Sequence, residues 1–316
     1  VRKIAIIGGG SWGTALSLVL ARGRQTHRIS LWAHSADVVE VLRARRVNEI
    51  YLPEFKLPPE VEVTGNLGQT LAGAEIVLGV MPSAHAREVY RAMRPHVEPH
   101  AVFVSATKGL EHSTHARMSE VISAELGTER RTRIAVLSGP SFALEVARGD
   151  PTAVVIAAED PGLAADIQAE FSGPTFRLYT NDDVVGTEIA GSVKNVIAIA
   201  SGVCAGIGFG SNTAAALVTR GLAEMTRLAV ALGGRRDTLA GLAGVGDLIL
   251  TCTGALSRNR AVGIELGKGT AAATLELAGR AGVEMPITEQ VHALLTAGRA
   301  PRDAIRELME RRLKQE

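Results

Sequence analysis

A chain of 316 residues with 46% hydrophobic and 21% charged residues has the makeup of a globular protein with room for two cores. Its formal charge of +1 gives no electrostatic drive towards nucleic acid or an anionic membrane, and its apolar stretches are broken by charge or glycine short of the ~20 residues that cross a bilayer. Two cysteines, Cys204 and Cys252, make neither a disulfide framework nor a metal-ligand spacing, so no metal and a reducing, cytoplasmic setting are expected, with no signal peptide at the start.

Up to about residue 180 short β-rich runs alternate with helical patterns. Strands are predicted at 3–7, 28–32, 75–80, 101–105, 134–137, 152–157 and 175–179, and helices at 14–22, 36–43, 85–94, 114–126 and 162–171. Such alternation predicts a largely parallel sheet with helices on both faces, a Rossmann-like doubly wound α/β domain. Beyond Asp183 no strand pattern follows and alanine-rich helices dominate. The run 212–232 places Val218, Leu222, Met225, Ala229 and Leu232 on one face and Arg220, Glu224 and Arg227 on another. The expected division is an α/β domain at 1–182, a link near 179–183, and an all-α domain at 183–316.

The first strand runs into Gly8-Gly9-Gly10-Ser11-Trp12-Gly13 and then a helix. Glycines at this spacing between strand and helix suit a dinucleotide: Gly8 for the turn, Gly10 for the approach of a pyrophosphate, Gly13 for close packing. The helix N-terminus offers free N–H groups to the phosphates. An NAD-selective site carries an acid at the end of the second strand, where this chain has Leu31-Trp32-Ala33-His34-Ser35. A carboxylate there would repel the 2′-phosphate of NADP, so both NAD and NADP remain open. His34, Arg43, Arg45 and Arg46 are the nearby sources of positive charge.

Lys194 is one of only six lysines beside 28 arginines, in the apolar run Ile189-Ala190-Gly191-Ser192-Val193-Lys194-Asn195-Val196. A helix apolar all round is buried, and desolvation lowers a lysine pKa into the range useful for proton transfer. Two readings stand at this point: an acid/base, or a structural partner for a carboxylate such as Glu188. Lys108, another scarce lysine, lies between a predicted strand and a glycine turn. Ser257, Arg258 and Asn259 combine a guanidinium fork with amide and hydroxyl groups, a combination suited to phosphate.

The ordered set of the glycine loop, Thr107-Lys108-Gly109-Leu110-Glu111, Ser138-Gly139-Pro140-Ser141-Phe142-Ala143, Lys194-Asn195, Gly244-x-Gly246-Asp247 and Ser257-Arg258-Asn259 resembles bacterial NAD(P)-dependent glycerol-3-phosphate dehydrogenase. The likeness runs from residue 4 to about 290. It implies reversible reduction of dihydroxyacetone phosphate to sn-glycerol 3-phosphate for phospholipid synthesis. It implies Lys194 as proton donor and acceptor, with Lys108, Gly139, Ser141, Asp247, Ser257, Arg258 and Asn259 at the substrate. Gly8, Gly10, Ser11, Trp12, Gly13, His34, Lys108, Ala143, Arg258 and Glu284 would meet the dinucleotide. Met285-Pro286 follows Glu284 where the family commonly has glycine, which weakens that one assignment. The expected partners are a small phosphorylated substrate and, as an open alternative, a second copy in a homodimer. A 6-phosphogluconate or β-hydroxyacid dehydrogenase shares the broad plan without the Ser257-Arg258-Asn259 segment. A non-enzymatic redox sensor would leave Lys194 without a purpose.

Overall fold

The structure, a computed structural model, describes residues 1–206, 209–254, 256–257 and 274–310. Its first part comprises β1 (Arg2–Ile7), α1 (Ser11–Ala21), β2 (His27–Trp32), α2 (Ala36–Arg45), β3 (Val47–Asn48), β4 (Leu52–Lys56), β5 (Val61–Thr64), α3 (Leu67–Leu71), β6 (Ile76–Gly79) and α4 (Ser83–Met93). It continues through β7 (Val102–Ser105), α5 (Met118–Leu126), β8 (Ile134–Ser138), α6 (Ala143–Arg148), β9 (Thr152–Ala158), α7 (Pro161–Phe171) and β10 (Phe176–Asn181). Eight strands form one sheet in the order β10-β9-β8-β7-β6-β1-β2-β5. Alternate residues of β1 serve opposite faces. Ile4 and Ile6 join a core with Leu16 and Leu20, while Ala5 and Ile7 join another with Tyr90 and Phe103. A central strand buried on both sides therefore reads as an unbroken apolar run. The chain builds outwards from β1 through β2 to β5, then crosses to β6 on the other side of β1. That reversal leaves a crevice at the carboxyl ends of β1 and β6, the place where doubly wound sheets take ligands.

Three local expectations change. The sheet is mixed, because β9 runs antiparallel to β8 while β10 is parallel to β9. Strand β5 was not anticipated, although Val61 and Val63 are buried around an exposed Glu62, a legible but very short alternation. The helix expected at 114–126 begins only at Met118. His115 takes a left-handed φ of 61° and the Thr114 hydroxyl bonds Glu111 and the Ala116 amide instead, so that turn cannot be helical.

The helical part begins with α8 (Val184–Gly206), followed by α9 (Ser211–Ala231), α10 (Arg236–Ala240), a π-helical turn at Leu242–Gly246, α11 (Asp247–Thr253), a helical stretch at 274–280, α12 (Pro286–Thr296) and α13 (Pro301–Glu310). The Asp183 carboxylate accepts from the Gly186 amide at 2.8 Å and from Arg235 N–H at 2.8 Å, fixing the start of α8. Within α8, Val184–Ala205 has a mean hydropathy of 1.2 and the length of a membrane-crossing helix. Glu188, Lys194 and three glycines interrupt it. Of the eighteen residues that reach this hydropathy, 78% are buried inside the fold, where Ile189, Val193, Val196 and Ile197 pack with Met225, Leu228 and Leu248. Glu224, expected on a polar face of α9, is only 2% exposed. Its carboxylate accepts from the Ile287 and Thr288 amides at 2.7 and 3.4 Å, capping α12, and burial pushes its pKa up to about 7.

Candidate active site

The strand ends converge on a cavity of about 680 Å³, lined by the Gly8–Trp12 loop, Trp32–Ser35, Val80–Pro82, Ala106–Lys108 and Ser141. Each segment follows a different strand of the parallel part of the sheet. Gly8 has φ +132°, and a Cβ there would lie 2.7 Å from the Val80 carbonyl oxygen. At Gly13 a Cβ would come within 1.9 Å of the Gly8 oxygen, so this contact between helix and strand end excludes any side chain. Gly10 is different. A Cβ would meet nothing within 4 Å, which leaves open space in front of the N-terminus of α1. That space, the turn and the helix end suit a pyrophosphate.

His34 is exposed at the cavity rim and meets Trp32 edge-on at 5.8 Å. The nearby arginines are engaged elsewhere. Arg43 donates to the Val63 carbonyl, Arg46 to the Pro58 and Val61 carbonyls, and Arg45 to Glu49. Of the four candidate cations at this end, His34 alone lines the cavity.

At the other side of the same strand ends, Lys108 follows β7 and the Gly139 loop follows β8. The Lys108 Nζ donates to the Gly139 carbonyl at 3.0 Å and to Asp247 Oδ2 at 2.7 Å. Lys194, from α8, donates to Asp247 Oδ1 at 2.5 Å and to the Thr251 hydroxyl at 2.8 Å. Thr251 sends its own hydrogen to the Asp247 carbonyl at 2.6 Å, so its oxygen is free to accept. One carboxylate thus bridges two ammonium groups, with Asp247 1% and Lys194 5% exposed. The Lys194 pKa falls to about 7, first because of burial; Asp247 opposes that shift and Lys108 adds to it.

The local backbone explains the assembly. The π turn at Leu242–Gly246 directly precedes Asp247, and the extra residue in such a turn re-aims the side chains that follow. Ser192 accepts from the Gly109 amide at 3.2 Å, tying α8 to the turn after Lys108. Glu188 is not the partner of Lys194. It accepts from Arg117 at 2.8 Å and from the Ser119 amide and hydroxyl at 2.7 and 2.6 Å. That geometry removes Glu188 as the carboxylate partner and puts Asp247 in its place.

Gly8, Gly10, Ser11, Trp12, His34, Lys108 and Ser141 line the cavity, and Gly13 packs directly behind the loop. Gly139 is held by Lys108, and Ala143 opens α6 against the core. Ser257 is buried; Arg258 and Asn259 lie outside the described residues. Glu284 is not among the lining residues, and its carbonyl accepts from Arg227 at 3.3 Å. Thr251 was missed. Its signal was spacing: it stands one helical turn after Asp247 on α11, the position from which two side chains share a face.

A glycine loop at the switch point of a doubly wound sheet, with a buried ammonium from a helical layer bridged through Asp247 to Lys108 at the same cavity, defines an NAD(P)-dependent dehydrogenase. Similarity at the level of fold extends to a ketopantoate reductase of Ralstonia eutropha, with TM-score 0.63 and 18% identity over 96% of this chain and all of that one. The chain belongs to the glycerol-3-phosphate dehydrogenase family. Models described as the N-terminus and C-terminus of NAD-dependent glycerol-3-phosphate dehydrogenase match residues 3–164 and 183–306. It is 54% identical to glycerol-3-phosphate dehydrogenase (NAD(P)+) of Koribacter versatilis, over 98% of this chain and 97% of that one. The solved glycerol-3-phosphate dehydrogenase of Coxiella burnetii superimposes with TM-score 0.91 at 41% identity, covering 98% and 99% of the two chains.

Proposed function

We propose that Lys194 delivers a proton to the carbonyl oxygen of dihydroxyacetone phosphate, and recovers it from sn-glycerol 3-phosphate, as this glycerol-3-phosphate dehydrogenase interconverts them. The product supplies phospholipid synthesis. The observation that supports this role is the buried Lys194–Asp247–Lys108 bridge beside the cavity that ends at Lys108 and Ser141. A bound nicotinamide cofactor, NAD or NADP, would contribute the hydride, and the open loop at Gly8–Gly13 is where its phosphates fit. Negative charge develops on the substrate oxygen during reduction. A desolvated ammonium with a pKa of about 7 stabilises that charge and then gives up its proton. Asp247 holds the Lys194 and Lys108 amines on its two oxygens, so both point from fixed positions. Gly139 and Ser141 complete this end of the substrate site. Ser257, Arg258 and Asn259 carry the phosphate in this reading, a remote anchor whose binding energy positions the carbonyl. The two cysteines, buried and not disulfide-bonded, fit a cytoplasmic setting.

The deciding measurement is Lys194→Ala. Turnover should fall by ~10²–10⁴-fold, the usual contribution of a positioned acid/base, with the dissociation constant for NADH unchanged. Lys194→Arg should not restore it, because guanidinium stays protonated. A folded Lys194→Ala protein that keeps more than about a tenth of kcat would exclude the role.

A further inference from the structure

The hairpin of β3 and β4 pairs antiparallel, apart from the main sheet. Leu52 and Leu57 anchor it in the core, and Tyr51 at its tip lines the cavity. Asn48, at the end of β3, is only 1% exposed. Its Nδ2 donates to the Gly9 carbonyl at 2.9 Å and to the Thr14 hydroxyl at 2.7 Å, while its Oδ1 accepts from the Tyr51 amide at 3.3 Å. A primary amide is a side chain that offers two donors and an acceptor from one planar group. Asn48 spends both donors on the glycine loop and the first turn of α1.

Holding the Gly9 carbonyl has a consequence one bond away. Among the described residues no peptide is cis, the Gly9–Gly10 unit included, and in a planar trans unit the C=O of one residue and the N–H of the next point in opposite directions. A Gly9 oxygen drawn towards Asn48 turns the Gly10 N–H away from Asn48, and both glycines line the cavity. The next peptide is fixed independently, because the Gly10 carbonyl accepts from the Thr14 amide at 3.0 Å. Glycines have no side chain to brace their peptide planes, so the bracing comes from the hairpin.

We propose that Asn48 is a positioning residue for the dinucleotide. From outside the glycine loop it sets the plane of the Gly9–Gly10 peptide, so that the loop amides are aimed at the pyrophosphate before it arrives. This rests on the reading of the Gly8–Gly13 loop as the dinucleotide site. Preorganised donors cost nothing to align on binding, and losing the brace lowers affinity for both cofactors alike.

Calorimetric titration of the full chain with NADH and NADPH tests the idea, alongside steady-state kinetics. Asn48→Ala should weaken both dinucleotides about tenfold, the scale of a lost buried hydrogen-bond set. Asn48→Asp should do at least as much, since a carboxylate would face the Gly9 oxygen. The KM for dihydroxyacetone phosphate at saturating cofactor should change far less. Gly10→Val is the control for the site: Gly10 has φ −80° and ψ −172°, which valine adopts, and the side chain would fill only the open space. Loss of binding in Gly10→Val with wild-type affinity in Asn48→Ala would overturn the proposal alone. Wild-type affinity in both would overturn the loop reading and the proposal with it. Equal losses in dinucleotide affinity, substrate KM and kcat for Asn48→Ala would mark a general structural role and overturn it too. Should Asn48→Ala not fold, Thr14→Val removes one of the two acceptors in an isosteric change. An about threefold weakening is then expected, and no change would count against the brace.

Discussion

The two ends of the crevice work by opposite means. In the reading proposed above, the nucleotide end works through backbone amides of Gly8–Gly13 and the start of α1, and His34 is the one of the four candidate cations that lines the cavity there. At the catalytic end two ammonium groups and a carboxylate are packed within hydrogen-bonding distance and almost dry. A backbone site is insensitive to pH and fails by steric filling. A buried charge site is tuned by its neighbours and fails when one charge is removed, because the remainder is left uncompensated. The phosphate contacts made by backbone amides should therefore be flat with pH, beside chemistry that is steep.

The largest expected departure is in Asp247→Asn. Two cations would lose their shared anion, and kcat/KM for dihydroxyacetone phosphate should drop by ~10²-fold or more. The pH profile carries the sharper information. In the proposed mechanism reduction needs Lys194 protonated, so its rate should decline as pH rises through about 7, while oxidation should rise over the same interval. Asp247 raises the Lys194 pKa, so the asparagine variant should move both limbs to lower pH. Limbs that stay in place would mean that another group titrates. NADH affinity, measured separately, should hardly move.

Next comes the clamp that seats α8. Arg117→Ala leaves the buried Glu188 carboxylate with only the Ser119 amide and hydroxyl, and removing one partner of a buried pair costs about 3–5 kcal/mol. Burial already raises the Glu188 pKa, and loss of Arg117 raises it further. A folded-state pKa above the unfolded value favours the native state at low pH and penalises it as pH climbs through that value. Thermal unfolding should therefore show a larger deficit for Arg117→Ala at pH 8 than at pH 5. A deficit independent of pH would mean that Arg117 contributes packing rather than charge.

The smallest effect is expected at the rim. His34→Asp places a carboxylate where a 2′-phosphate would come, in good contact with solvent. Such a repulsion amounts to ~1 kcal/mol, so kcat/KM for NADPH should fall about fivefold relative to NADH. An equal change with both cofactors would move the adenosine end away from His34.

The glycine loop and the strand–helix alternation could be read from residues alone because their rules are local. Periodicity reports which side of an element is dry, and a positive φ or a close backbone approach demands glycine whatever lies beyond. The hairpin and β5 escaped because β3 has two residues and β5 four, too few for a pattern to repeat. Glu224 shares a helix face with Arg220 and Arg227 in the sequence pattern, but its burial depends on the Ile287 and Thr288 amides, more than sixty residues later.

Lys194 shows where that reach ends. Its scarcity and its apolar neighbours fixed that it is buried and costly, which are properties of one helix. Its partner is another matter. Glu188 lies closer in the chain but faces Arg117 across the turn before α5, whereas Asp247 lies 53 residues after Lys194 and 139 residues after Lys108. Only the packing of α11 on α8, with the π turn that re-aims Asp247, brings those three charges together. Local sequence sets which groups must leave water, and tertiary packing sets which of them meet, because a Coulomb or hydrogen-bond partner is chosen by distance in space and not along the chain.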